Sequence, residues 1–185
     1  MAYYYLMAQL PYLVYDQKPP MSSGEFKTLA QLHMSKNDAD LLNIIMLDSS
    51  GKKNSGCKFI DNWNNWEREL RLNLAKQRII KLKKENIKIP EPSDYHTDVT
   101  AIAVKAADEH SPLEGEIIID KARWSAIDNL VGNDYFSRNN VYAYYLKLLI
   151  LERREAFNAE RGFAEYKSMY AFIVESAQSS RGEHA

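Results

Sequence analysis

Val141-Tyr142-Ala143-Tyr144-Tyr145-Leu146-Lys147-Leu148-Leu149-Ile150-Leu151 is the most apolar run of the chain. Its eleven residues carry a single charge, Lys147. A helix that crosses a bilayer needs about 20 apolar residues, so this run is too short to span. It reads instead as a buried helix that is apolar nearly all round. Ser137 starts that helix, and it continues to about Phe157. The pattern of the remaining chain is also helical, and the fold class expected is all-α, a multi-helix bundle.

On the N-terminal side, Ser111, Pro112 and Glu114 form a capping signal with proline at the first helical position. The helix it opens runs to Leu130 and ends at Gly132. The β-branched Ile117, Ile118 and Ile119 weigh against helix there. Another helix is expected from about Ser93 to Ala107. Further upstream, Asp61 is expected to cap a long helix reaching about Glu85. Its apolar stripe changes face. Trp63, Trp66, Leu70 and Leu74 share one side, while Leu72, Ala75, Ile79 and Leu82 lie nearly opposite. A helix that switches face packs against two neighbours, which makes it a bridge between two small lobes, 1–85 and 93–178, with a connector at 86–92. A single helical domain covering 1–185 is the simpler organisation.

The N-terminal third holds shorter elements. Residues 2–10 suit a strand by tyrosine content and a helix by length, and helix is the expectation. Pro11, Pro19 and Pro20 make 11–20 an extended connector. Ser22 with Glu25 is a capping box, followed at helical spacing by Phe26, Leu29 and Leu32 or His33. A short helix from Asn37 or Asp38 to Leu47 should bury Leu41, Ile44 and Ile45. Residues 48–56 are a polar loop. At the other end, Phe163, Tyr166, Tyr170, Ile173 and Ala177 recur at +3, +4, +3, +4, the a/d seam of a helix over about 160–178. The tail from Ser179 is polar.

Composition narrows function by exclusion. The net charge of −1 gives no general attraction to nucleic acid or acidic lipid. One cysteine, Cys57, rules out an internal disulfide and fits a reducing compartment. The N-terminal stretch lacks a basic region and a small-residue cleavage site, so no secretory signal is expected. No glycine loop of the phosphate-binding kind occurs, and no His-x-x-x-His or Glu-x-x-His pair. Catalytic residues, cofactor and metal are therefore all expected to be absent. Of the histidines His33, His96, His110 and His184, two sit near acids in a way that bears on chemistry. His110 follows Asp108 and Glu109 at a helix end, and His96 follows Asp94, itself a capping candidate. A hydrolase would need one of these imidazoles against a carboxylate in a closed pocket.

Charge is blocked along the chain. Residues 70–84 hold Arg71, Lys76, Arg78, Lys81, Lys83 and Lys84 without an acid. Residues 91–116 hold seven acids against Lys105. These are two solvated faces that pair with each other, or a polar docking surface. Nucleic-acid binding is disfavoured because the basic run has no interleaved aromatics. Twelve tyrosines and three tryptophans are mostly core material, yet both types also favour interfaces. Tyr3, Tyr5, Trp63, Trp66 and Trp124 are the candidate interface anchors.

Two segments carry a resemblance. Tyr4-Tyr5-Leu6-Met7-Ala8-Gln9-Leu10-Pro11, then Lys18-Pro19-Pro20-Met21-Ser22-Ser23-Gly24-Glu25-Phe26, resembles a bacterial family encoded among V/A-type ATPase subunits in spirochaetes, Bacteroidetes and chlamydiae. The opening is also similar to the C subunit of V/A-type ATPases, in which a Tyr-x-Tyr-Leu-x-Ala pattern precedes a short helix with a Phe and Leu pair. The matching positions are Tyr3, Tyr5, Leu6, Ala8, Phe26 and Leu29. A looser likeness covers Asn139 to Phe163. The C subunit is an all-helical, funnel-like protein that seats the central rotor stalk on the membrane ring of proteolipid subunits. The resemblance implies a non-catalytic structural or coupling subunit of a proton or sodium ATPase. Its partners would be rotor stalk and proteolipid ring, and it would lie in the cytoplasm on the inner face of the membrane without inserting. The alternative is an assembly or regulatory module of the same complex. At 185 residues the chain is too short for a complete three-lobed funnel, so a reduced equivalent is expected.

Overall fold

The computed structural model describes residues 2–48, 54–83, 89–90, 97–133, 135–157 and 159–182. Among them the chain forms eight helices and no strand: α1 (Tyr4–Gln9), α2 (Ser23–His33), α3 (Lys36–Leu41), α4 (Lys58–Lys81), α5 (Thr97–Asp108), α6 (Pro112–Val131), α7 (Arg138–Ala156) and α8 (Ala159–Gly182). The fold is an all-α helical bundle. It divides into two compact units, Met1–Glu152 and Arg153–Ala185.

The apolar run at 141–151 is the heart of the first unit. Val141, Tyr142, Ala143, Tyr145, Leu146, Leu148, Ile150 and Leu151 of α7 are all buried. Different neighbours cover its different sides. Phe26 of α2 stacks on Tyr144 and Tyr145, with ring centroids at 5.3 and 5.6 Å. Phe59 of α4 lies 6.4 Å from the Tyr142 ring. Lys147 pairs with Asp128 of α6 at 2.5 Å and covers the Trp124 ring at 4.7 Å.

The N-terminal stretch combines both readings of its sequence. Ala2 makes an isolated antiparallel bridge to Ser137, and the helix α1 then begins at Tyr4. The capping box of α2 is complete. The Glu25 amide donates to Ser22 Oγ at 3.2 Å, and the Ser22 amide donates to Glu25 Oε2 at 2.7 Å. α3 is shorter than the spacing suggested. Ser35 caps it, and after Leu41 the chain tightens into i→i−3 bonds at Leu42, Asn43 and Ile44. Leu42 and Ile45 are buried there, Ile44 is exposed, and the Met46 carbonyl accepts the Trp63 indole N–H at 3.1 Å.

The start of α4 differs from expectation. Asp61 is not its cap; the helix begins at Lys58 with Cys57 at the cap position. Asp61 acts from inside the first turn, where Oδ1 accepts from the Ser55 amide and hydroxyl, each at 2.8 Å. A carboxylate there also suits the positive end of the helix dipole. The two lobes do not separate at 86–92. α4 packs directly on both α5 and α6 within the unit Met1–Glu152, while of the expected second face Leu72, Ala75 and Ile79 are only half-buried and Leu82 is exposed. Residues 84–88 and 91–96, which take in most of that connector and also Asp94 and His96, lie outside the described residues. The blocked charges meet at one described point, where Lys81 pairs with Asp108 at 3.2 Å. α6 forms through its three isoleucines, and Gly132 stops it with φ +76°.

Gly115 sets the approach of α5 to α6. A Cβ placed on it would stand 2.9 Å from the Ala106 carbonyl oxygen, a backbone atom. Gly115→Ala should therefore destabilise the protein by about 1–3 kcal/mol, despite the higher helix propensity of alanine. Urea unfolding of the two proteins side by side checks this.

Candidate functional site

Among the described residues two polar clusters in the interior join elements remote in sequence, and beside them buried Asn73 of α4 donates to the Glu69 carbonyl at 2.9 Å and accepts from Thr100 of α5 at 3.2 Å. In the first, Asp38 of α3 is the hub. Its Oδ2 accepts a short hydrogen bond from the Tyr3 hydroxyl, and its Oδ1 accepts from Arg138 at 3.2 Å. Its backbone carbonyl accepts from the Tyr142 hydroxyl at 3.0 Å. Burial alone would raise the Asp38 pKa. The hydrogen bonds from Tyr3 and Arg138, with the Arg138 charge, outweigh burial and hold the carboxyl below its ordinary value. Burial, and then Asp38, push the Tyr3 phenol up. Tyr142 is raised by burial and then by the Asp38 charge.

The second cluster ties α4 to α6. Arg123 grips Glu67 with a fork, Nε to Oε2 at 3.0 Å and Nη2 to Oε1 at 2.7 Å, and turns Nη1 to Asp120 at 2.9 Å. Arg71 adds a bond to Glu67 Oε1 at 2.9 Å and reaches Asp48. Glu67, Asp120 and Arg123 are almost wholly buried. Burial works against the Arg123 charge, but the hydrogen bonds and charges of Glu67 and then Asp120 dominate and raise its pKa. Both Glu67 oxygens are engaged, which suits holding helices together rather than proton transfer to a substrate. None of these residues stood out among the sequence candidates. A signal existed: Glu67 sits on the apolar stripe between Trp63 and Leu70, and Asp120–Arg123 and Glu67–Arg71 have i,i+3 and i,i+4 spacing.

The candidate anchors divide sharply. Tyr3, Trp63 and Trp66 are buried in the chain's own core, so they present no surface to a partner. Their role as anchors is corrected on that ground. Trp63 and Trp66 stack on each other at 5.7 Å. Tyr5 is exposed and meets the His33 ring edge-on at 4.9 Å. Trp124 is half-buried between Tyr15, whose ring lies 5.5 Å away, and the Lys147 ammonium.

Trp124 also lines an open cleft of about 420 Å³ between the N-terminal connector, the end of α6 and the start of α7. Leu10, Tyr12, Tyr135, Tyr144 and Lys147 line it too. Tyr12 is 88 % exposed and Tyr135 72 %. The Tyr144 hydroxyl donates to the Pro11 carbonyl at 2.9 Å, and burial raises its pKa to about 12. Elsewhere on the N-terminal segment Tyr4 packs on Phe136 at 4.7 Å, and both rings remain exposed. The cleft is apolar and aromatic with a few polar tips, the chemistry of a binding face. A second cavity of about 400 Å³ lies where α4 and α7 begin, lined by Cys57, Lys58, Ser137 and Arg138. Among the described residues no group of three or more His, Cys, Asp or Glu is placed to hold a metal ion. His110 is exposed.

A family model described as a protein of unknown function, DUF2764, matches residues 101–176, from α5 into α8. No curated protein and no solved structure matches the chain.

Two outcomes follow from the clusters. Arg123→Met leaves Glu67 and Asp120 buried with a charge partner removed, and should cost about 3–5 kcal/mol in chemical unfolding. Asp38→Asn should cost about 1–3 kcal/mol at neutral pH. Because the folded pKa of Asp38 is depressed, its contribution is complete above the ordinary carboxylate pKa and is lost as pH falls through the lower folded value. Stability measured from pH 7 down to about pH 3 should therefore show the gap between Asp38→Asn and the native protein closing with acid.

Proposed function

We propose that this chain is a non-catalytic coupling subunit of a V/A-type proton or sodium ATPase, linking the central rotor stalk to the proteolipid ring from the inner face of the membrane. One observation carries the reading. The N-terminal segment of the resemblance and residues 139–152 of the looser one are remote in sequence, yet they pack on each other within the first unit. Phe26 stacks on Tyr144 and Tyr145, and the Ser23 amide donates to Glu152 Oε1 at 2.6 Å. Leu6 and Phe26, both positions of the resemblance, are wholly buried in that unit. Likeness in two segments that fold against each other is likeness of a shared unit, which supports a shared role.

The physical character of the unit agrees with a mechanical part. A component that transmits torque needs long helices held by interior ties and an exposed face for partners. α4 and α6 are 24 and 20 residues long and are joined by the Glu67–Arg123 fork. Among the described residues no helix is long and apolar enough to cross a membrane, which is compatible with a peripheral position. The exposed aromatics around the Trp124 cleft are the face through which contact with the complex is expected.

Tagged protein recovered from gently solubilised native membranes should bring rotor stalk and proteolipid in near-stoichiometric amounts. The double variant Tyr12→Ser, Tyr135→Ser should lower that recovery by about tenfold or more while leaving the helical circular dichroism unchanged. An intact ATPase isolated without this chain would sink the proposal. Recovery well below one copy per complex, lost on mild washing, would favour a transient assembly or regulatory module instead.

A further inference from the structure

Among its described residues the second unit, Arg153–Ala185, contains one long helix, α8, with no second long helix in that unit to cover an apolar face. Phe163, Tyr166 and Tyr170 follow one another at +3 and +4, and they are 59, 59 and 60 % exposed. Met169 and Ile173 lie on the same side, at 62 and 63 %. Successive rings support each other along the helix: Tyr166 stacks on Tyr170 at 6.3 Å, and the Lys167 ammonium lies 4.6 Å over Phe163. Isolated helices are marginal in water and draw most of their stability from packing an apolar face, so the stripe needs an opposing surface.

We propose that the occupant is a second copy of this chain, its α8 packed against the first through the Phe163–Tyr166–Tyr170 seam. The area is sufficient. At these exposures the stripe offers roughly 600–700 Å² of surface per copy, most of it apolar, and covering it in both copies reaches the lower end of the range of stable interfaces. The stripe also matches or exceeds the largest apolar patch that a monomer ordinarily leaves in water. The spacing fits a like helix, because alternating +3 and +4 steps are what a facing helix of the same pattern receives as knobs into holes. Charge does not direct it elsewhere. The positions flanking the seam, which set partner choice in paired helices, include Met169 and Val174, with Lys167 already seated over Phe163. No row of like charges along the seam opposes a two-fold pairing, in which one patch serves both copies. This inference is independent of the ATPase reading, since it concerns the purified chain alone.

Sedimentation equilibrium on the full chain at micromolar to tens of micromolar concentration tests it. The expected result is a reversible dimer, at twice the monomer mass of 21.4 kDa. Tyr170→Glu should weaken that dimer by about 30-fold or more, whereas Ser168→Glu, off the seam of α8, should leave it intact. A second readout does not depend on the stability of those variants. Tyr170→Cys should form a disulfide-linked dimer under mild oxidation and Ser168→Cys should not, the native Cys57 being buried. A monomer at every concentration overturns the proposal, whether the stripe is then found covered by the chain itself or by a different protein. So does a dimer that Tyr170→Glu leaves unchanged.

Discussion

Enclosure of α7 is the constraint on which the first unit depends. Tyr142, Leu146, Leu148 and Ile150 have essentially no contact with water, and they point to different sides of one helix. Burying such a helix needs partners all round, and no single neighbour can supply them. α2, α4 and α6 each take a side, and the N-terminal connector closes the remainder through Pro11 and Tyr144. The order of elements along the chain then follows a physical need. Helices from both the early and the late part of the sequence must return to the same axis, and contacts such as Phe26–Tyr145 span most of the unit's length.

Apolar enclosure alone does not fix how neighbours are oriented, because hydrophobic contact is non-directional. The two polar clusters supply direction. Asp38 takes a phenol from the N-terminus and a guanidinium from the start of α7, so one carboxylate fixes three segments at once. Arg123 does the same between α4 and α6 with a planar fork, whose geometry tolerates little rotation. Buried ion pairs are weak sources of net stability compared with apolar packing. Their value here is registry: each excludes packings in which a charge would be left buried without its partner.

The distribution of aromatics has a similar logic. Rings that meet α7 or α4 are interior, as with Phe26, Trp63 and Trp66. Tyr4, Tyr5 and Tyr12 of the N-terminal segment and Tyr135 stay in water, and so do the described rings of α8. Large exposed rings have a solvation cost that a covering partner removes, and these faces are where the chain has surface to give. The interior is held by directional hydrogen bonds, while the outside carries the uncovered apolar area.

Local pattern by itself determined the helices and most of their ends. The Ser22–Glu25 box, proline at the first position of α6 and Gly132 at its end act through neighbouring backbone groups, so their signals lie within four residues of where they work. The eleven-residue run of α7 likewise announced its burial through composition alone. Tertiary structure decided everything that depends on which surfaces meet. Asp61 looked like a cap because aspartate at a helix start commonly plays that part, whereas its carboxylate reaches back through a loop to Ser55 from inside the first turn. Trp63 and Trp66 resembled anchors because tryptophan chemistry is the same in a core and at an interface, and only the arrival of other helices distinguishes the two. The change of face along α4 was legible, but its cause was not. α4 packs on α5 and α6 in one unit, yet buries Leu70 and Leu74 of the first stripe and leaves Leu82 of the second exposed, because the neighbours of a helix are chosen by three-dimensional return of the chain and leave no mark in local spacing.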